Sequence, residues 1–303
     1  MIDPGTITAI LVGGLVLLLA IGAPVSISIA LPSALCMLLI VDFDRGAITS
    51  AQQMLGGANS FALLAIPFFV LAGVIMNNGG IAERLVNLGR VLVGRTPAPL
   101  AQTNILANAI FGTVSGSAVA SAAAVGSTMA PMQKRAGYDP AFSAAVNVAS
   151  APAGMLIPPS NTLIVYSLAA GGTSVGALFL AGYVPGILWA LACAVVVFVY
   201  ARRHPDLKGE SFPGMAAFLT TLWRAVPSLG LIVVAIGGIV AGFFTPTEGS
   251  AIAVLYALGL SFVYRTISVK DLPRILYDAC RTSAIVIFLI AVSTIMSYVM
   301  TYA

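Results

Sequence analysis

Charge is what this sequence has least of. Asp, Glu, Lys and Arg together make up 8% of its 303 residues, where a water-soluble domain carries roughly 25%. A chain so poor in charge is not an ordinary soluble enzyme or a disordered scaffold. The formal charge of +4 is too small to imply a nucleic-acid partner. Histidine occurs once, as His204 in a polar stretch, which removes most zinc and histidine-based catalytic schemes. The three cysteines, Cys36, Cys193 and Cys280, are far apart in apolar segments and match no metal or redox spacing. They are expected to be buried packing residues. No nucleophile–base pair or ligand cluster falls in an apolar segment, so the chain is not read as an enzyme. The first residues carry no basic run before their apolar stretch, so they read as a membrane helix and not as a cleaved signal.

What remains is hydrophobic. The apolar share is 59% and the mean hydropathy is +1.04, which implies an all-α polytopic membrane protein lying in a lipid bilayer. Within it, residues 98–161 are unusual. Gln102, Asn104, Asn108, Thr113, Ser115, Ser117 and Ser121 fall within two apolar arms of about 15 residues each, shorter than the roughly 20 needed to cross the hydrocarbon core. Gly112, just before a Ser-Gly-Ser tip, and Gly116, within it, favour non-helical backbone there. This pattern predicts a re-entrant helical hairpin with its tip at Ser115, Gly116 and Ser117. Interruptions are then expected at Pro152 and at Pro158, Pro159, Ser160 and Asn161, because proline lacks the donor and bends its predecessor out of helical geometry. Broken helices at membrane depth are tolerated where they are enclosed or line a wet cavity, and paired breaks point to a transporter's site.

Along the chain, helices are predicted over residues 7–21 and 25–41, a loop over 42–60, and a helix over 61–76. Residues 81–93 place Ile81, Leu85, Leu88 and Leu92 on one face and read as an interfacial amphipathic helix, or as a loop helix packed on protein. A broken helix is expected over 141–170 and a long helix over 175–200. A polar linker follows over 202–214. The next helix is expected to open at Trp223 and Arg224 and to end near Phe244. Another starts at Thr245. A separate amphipathic piece over 269–279 and a last helix over 283–299 complete the reading. Thirteen of the fourteen Lys and Arg residues fall on one side of this topology, with Arg45 alone on the other. The positive-inside rule makes the crowded side cytoplasmic and the N-terminus periplasmic.

An internal repeat is also visible. Helix, proline turn (Pro24), helix, loop and an Ile75-Met76 helix match helix, Pro246 turn, helix, amphipathic loop and an Ile295-Met296 helix. Five crossings precede the second copy, which inverts it. The expected organisation is a first inverted repeat over 1–202, a cytoplasmic linker over 203–220 and an incomplete second repeat over 221–303. Since the second copy ends soon after Met296, the chain is expected to be a fragment unable to transport alone.

A hairpin tip facing a broken helix offers carbonyl and hydroxyl oxygens, which suit a dehydrated Na⁺. Ser115, Gly116, Ser117, Pro158, Pro159 and Ser160 are the candidates, unless these small residues serve only close helix packing. Asn147 and Asn161 are candidates to hydrogen-bond a substrate or a neighbouring backbone. Glu248 is an acid near membrane depth and a possible proton relay, or the third helical residue of a capping box opened by Thr245.

The motifs AIPFFVLAGVIMNNGGI, FGTVSGSAVASAAAVGS, MQKRAGYDPAFSAAV, LIPPSNTLIVY, LFLAGYVPGILWA and FFTPTEGSAIAVLYAL span nearly the whole chain. Together they resemble the large membrane subunit (M subunit, DctM-like) of tripartite ATP-independent periplasmic (TRAP) transporters. The resemblance implies Na⁺-coupled import of organic acids such as C4-dicarboxylates, 2-keto acids or sialic acid across a bacterial inner membrane. It implies two partners, a small membrane subunit and a periplasmic substrate-binding protein. It also implies an elevator-type mechanism, with the residues around 115–118 and 157–161 in the moving domain and 81–93 as a scaffold arm. A carboxylate/Na⁺ symporter of related fold that needs no binding protein is the alternative.

Overall fold

The computed structural model describes residues 3–170, 172–207 and 214–302, without the side chains of Ala82, Val114, Ser115, Ile232 and Tyr302. Every regular element among them is helical. In chain order these are α1 (Pro4–Ala20), α2 (Val25–Ile40), α3 (Phe43–Ala58), α4 (Ala65–Asn78), α5 (Ile81–Val93), α6 (Pro99–Ser115) and α7 (Ala118–Arg135). Then come α8 (Pro140–Leu156), α9 (Asn161–Ala169), α10 (Val175–Arg202), α11 (Met215–Val240), α12 (Pro246–Val263) and α13 (Leu272–Tyr302). Five of the helical segments are long and apolar enough to cross a membrane, or six if the bent pair α8 and α9 counts as one span. The chain is an all-helical polytopic membrane protein.

Packing divides it into two units, residues 1–63 with 280–303, and residues 64–279. These cut across the sequence boundaries near 202 and 220, because a packing unit and a sequence repeat are different divisions of a chain. In the first unit, α1 and α2 form a hairpin turned at Gly22, whose φ of +84° suits a residue without Cβ. Ile7, Leu11, Cys36 and Met37 pack with Ile295 and Val299 of α13. Thr294 donates its hydroxyl to the Gln53 carbonyl at 2.8 Å, and Gly57 admits the Thr294 side chain.

In the second unit, α4 lies along α12. Gly79 sits against Ser261, and Thr266 donates to the Gly79 carbonyl at 2.8 Å. The Arg84 guanidinium covers the Tyr264 ring at 3.5 Å, a cation–π contact that ties α5 to the end of α12. The buried side of α5 carries Ile81, Leu85 and Leu88, as its periodicity requires, whereas Leu92 is 52% exposed. In α10, the small and apolar residues Phe179, Gly182 and Gly186 form the inward stripe, and the remaining surface is mostly exposed aliphatic side chains. Such a surface suits lipid.

Several expectations are corrected. Residues 43–58 are helix α3, not loop. Asp44 in its first turn favours the dipole, and the Thr294 bond and Gly57 contact come from tertiary structure. Helix α8 continues through Pro152, since one missing donor is tolerated when the flanking Ala151 and Ala153 are buried. Helix α11 begins at Met215, so Trp223 and Arg224 lie inside it. The amphipathic piece and the last helix are one 31-residue helix, α13, because neither Gly nor Pro interrupts residues 274–302. Of the cysteines, Cys36 is buried, Cys193 is partly so and Cys280 is exposed, as an apolar thiol on a membrane helix can be.

Candidate functional site

The hairpin forms from α6 and α7, of 17 and 18 residues, each about 26 Å long and so just short of the hydrocarbon core of about 30 Å. Gly116 closes α6 in the left-handed region, at φ +60°, and its N–H donates to the Gly112 carbonyl at 2.8 Å. Ser117 is extended and caps α7, its hydroxyl accepting from the Ala120 N–H at 3.3 Å. The Ser115 side chain lies outside the described residues. On the other side, α8 stops at Leu156 and α9 restarts at Asn161, bent by 53° across Ile157, Pro158, Pro159 and Ser160, with a cis Pro158–Pro159 peptide. Pro158, Pro159 and Ser160 are buried, and the Ser160 hydroxyl caps α9 by accepting from the Leu163 N–H at 3.4 Å.

The tip and the break meet. A Cβ on Gly116 would stand 2.8 Å from the Asn161 Nδ2 and 2.9 Å from the Asn161 backbone nitrogen. Deeper in the pair, Gly112 and Gly154 cross so closely that a Cβ on Gly112 would lie 2.3 Å from the Gly154 Cα. Gly182 and Gly186 of α10 press on Leu156 and Ile157 from behind. Two helix C-termini (α6 and α8) and two helix N-termini (α7 and α9) therefore converge. The first pair presents partial negative charge and carbonyl oxygens, the second partial positive charge and N–H groups. Asn161 is 9% exposed, and its Oδ1 is buried with no hydrogen-bond partner among the described residues. Among those residues no cluster of three His, Cys, Asp or Glu could hold a metal ion, so a cation at this junction would meet neutral oxygens.

Asn147 is not brought to the tip. It lies about 14 Å before the end of α8, at the helical rise. There it belongs to a polar network that sequence reading did not assemble. The Asn108 amide donates to the Asn147 carbonyl at 3.0 Å, to its Oδ1 at 3.1 Å and to the Ser150 hydroxyl at 2.9 Å. The Asn108 Oδ1 accepts from Ser121 at 2.8 Å, Asn104 donates to the Asn147 Oδ1 at 3.2 Å, and the Asn147 amide donates to the Ala122 carbonyl at 2.8 Å. One network thus pins both hairpin arms to α8. Its signal in the sequence was the i, i+4 pair Asn104 and Asn108 facing the i, i+3 pair Asn147 and Ser150.

Glu248 is used in the cap of α12. Its carboxylate accepts from the Thr245 N–H at 2.8 Å, and the Thr245 hydroxyl accepts from the Glu248 N–H at 3.3 Å. Thr245→Ala is expected to lower the stability of the protein by about 1 kcal/mol. Glu248→Gln keeps the capping geometry but removes a carboxylate favoured at the helix N-terminus, so it is expected to lower thermal stability in detergent slightly and to leave the pH profile of uptake as it was. A shifted pH profile in Glu248→Gln would favour the proton-relay reading.

The fold and this junction define a class, a polytopic membrane protein whose irregular backbone is enclosed by helices. The family model for the tripartite ATP-independent periplasmic transporter DctM component matches residues 12–303. The chain is 55% identical to the uncharacterized protein YgiK of Salmonella typhimurium, over 97% of this chain and 67% of that protein. It is 36% identical to the C4-dicarboxylate TRAP transporter large permease protein DctM of Rhodobacter capsulatus, over 97% of this chain and 69% of the other. It is 38% identical to the sialic acid TRAP transporter large permease protein SiaM of Vibrio cholerae, over 93% of this chain and 65% of the other. The chain belongs to the DctM family of TRAP transporter large permease components, and it is a permease component, not an enzyme. It spans about two thirds of the length of these relatives.

Proposed function

We propose that this chain acts in the large membrane subunit of a Na⁺-coupled TRAP transporter that imports an organic acid across a bacterial inner membrane. The observation that carries the reading is the seat of Gly116 on Asn161, with the buried Asn161 Oδ1 lacking a hydrogen-bond partner among the described residues. A buried oxygen of this kind costs about 1–3 kcal/mol when unpaired, and a Na⁺ held by it and by tip and break carbonyls would offset that cost. The N-termini of α7 and α9 at the same junction suit a carboxylate. The relatives named for C4-dicarboxylate and sialic acid both handle carboxylates, which supports an organic acid here too. A small membrane subunit and a periplasmic binding protein are the partners, and the N-terminus is periplasmic. The hairpin and the broken helix move together as one body in an elevator cycle, within an inverted-repeat plan. The polar network and the glycine crossing support such joint motion, because they tie α6, α7 and α8 together.

The test is uptake into proteoliposomes holding this chain's protein with a small subunit and binding protein, over a panel of carboxylates and Na⁺ concentrations. Asn161→Ala and Ser117→Leu are expected to raise the Na⁺ concentration for half-maximal uptake about tenfold, the equivalent of about 1.4 kcal/mol, with normal amounts of folded protein. An unchanged Na⁺ dependence in both variants would count against the site. Uptake without any binding protein would favour the simpler symporter.

A further inference from the structure

A groove of about 420 Å³ runs on the back of the junction, between the hairpin arm α6, the arm helix α5 and helices α10 and α11. One end lies at Gln102 and Ala194 and the other at Thr113 and Tyr183, a run of about 16 Å on each helix at about 1.5 Å per residue. Its polar wall groups are largely turned away. The Gln102 amide donates to the Ala194 carbonyl at 2.9 Å, and the Thr113 hydroxyl to the Ile110 carbonyl at 2.7 Å. What faces inward is mainly aliphatic, and the outer rim carries Ile187 and Leu191, 49% and 55% exposed on α10.

The mouth is cationic. Val93 lines it, with Arg90 one turn before and Arg95 two residues after. Arg202 and Arg203 close α10 at the same end, where Asp206 is the acidic residue in the described part of the loop that follows. Length, lining and charge fit one occupant. About 16 Å is the depth of one leaflet of a hydrocarbon core about 30 Å thick, and clustered arginines at a membrane surface attract anionic headgroups.

We propose that this groove binds one acyl chain of an anionic phospholipid, with its headgroup at Arg90 and Arg95 and its methyl end against Ile157 and Pro158. The lipid braces the break from the side opposite the hairpin tip. It requires only that the protein be in a membrane, so it stands apart from the Na⁺ and substrate proposals.

The probe is phosphatidylglycerol with a diazirine at the end of one acyl chain, diluted into phosphatidylethanolamine vesicles holding the purified protein. Photolysis followed by peptide mapping is expected to label the peptides containing Thr113, Ile157 and Tyr183 several-fold above the exposed face of α1. Leu191→Trp, which fills the groove from its outer rim, is expected to remove most of that label. Leu188→Trp, equally exposed on α10 but outside the groove, is expected to leave it. Arg90→Gln with Arg95→Gln is expected to lower labelling by phosphatidylglycerol but not by a phosphatidylcholine probe of the same chain. Label no denser in the groove than on α1, from an empty groove or one covered by polypeptide, overturns the proposal. So does label unchanged by Leu191→Trp. Equal response of the two probes to the arginine changes overturns the anionic headgroup.

Discussion

Gly112→Ala is expected to destabilise the protein by about 3 kcal/mol and to abolish uptake. The added Cβ would stand 2.3 Å from the Cα and 2.9 Å from the carbonyl carbon of Gly154. Both obstacles are backbone, so no rotamer change relieves them, and overpacking of this kind costs about 1–3 kcal/mol even where side chains can yield. The helices must separate by about an ångström, which would also lift Gly116 from Asn161 a turn further along α6. Close crossings at small residues are a usual way for membrane helices to associate, since lipid supplies no hydrophobic drive between them. The control is Gly259→Ala on α12, where no atom lies within 4 Å of the new Cβ. There alanine is expected to be neutral or to stabilise by up to about 1 kcal/mol. Thermal unfolding of the purified variants in one detergent decides the matter. Equal midpoints for Gly112→Ala and Gly259→Ala would refute the crossing.

Asn108→Leu is expected to cost about 2–3 kcal/mol and to loosen α7 from α8. The side chain is fully buried and joins Asn147, Ser150 and Ser121 through four hydrogen bonds. Leucine keeps the branched shape but is bulkier, so overpacking adds to the loss of polar partners, and Asn147 and Ser150 would be left less satisfied in a low-dielectric interior. Because the residues act as a unit, Asn108→Leu with Asn147→Leu should cost less than the sum of the single changes. Additive losses would show that the two asparagines are energetically independent.

Much of the site was legible in the sequence because its signals are local. Gly116 between two serines marks a positive-φ turn, Ser117 and Ser160 are N-caps, and Pro158-Pro159 forbids a continuous helix. The Thr245 and Glu248 capping box was one of two open readings, and it is formed. Each of these depends on residues within about one helical turn. The role of Asn147 was not legible in this way. Its partners lie about 40 positions away on α6, and an amide reads the same in a binding site and in a core.

The same distinction runs through the fold. Composition alone determined that this is a helical membrane protein, because apolar residues in such excess have no aqueous fold and helices satisfy their own backbone in lipid. Periodicity and proline placement determined where most helices run. Only tertiary structure decided that residues 43–58 are helical and that α8 passes through Pro152. For α3 the help comes from a contact made by Thr294, 241 positions from Gln53. Tertiary structure also decided which glycines matter. Gly112 and Gly259 are both helical glycines in the sequence, yet one meets another backbone and the other meets nothing. A glycine's cost or benefit is set by what lies opposite its missing Cβ, and that neighbour is chosen by packing between segments distant along the chain.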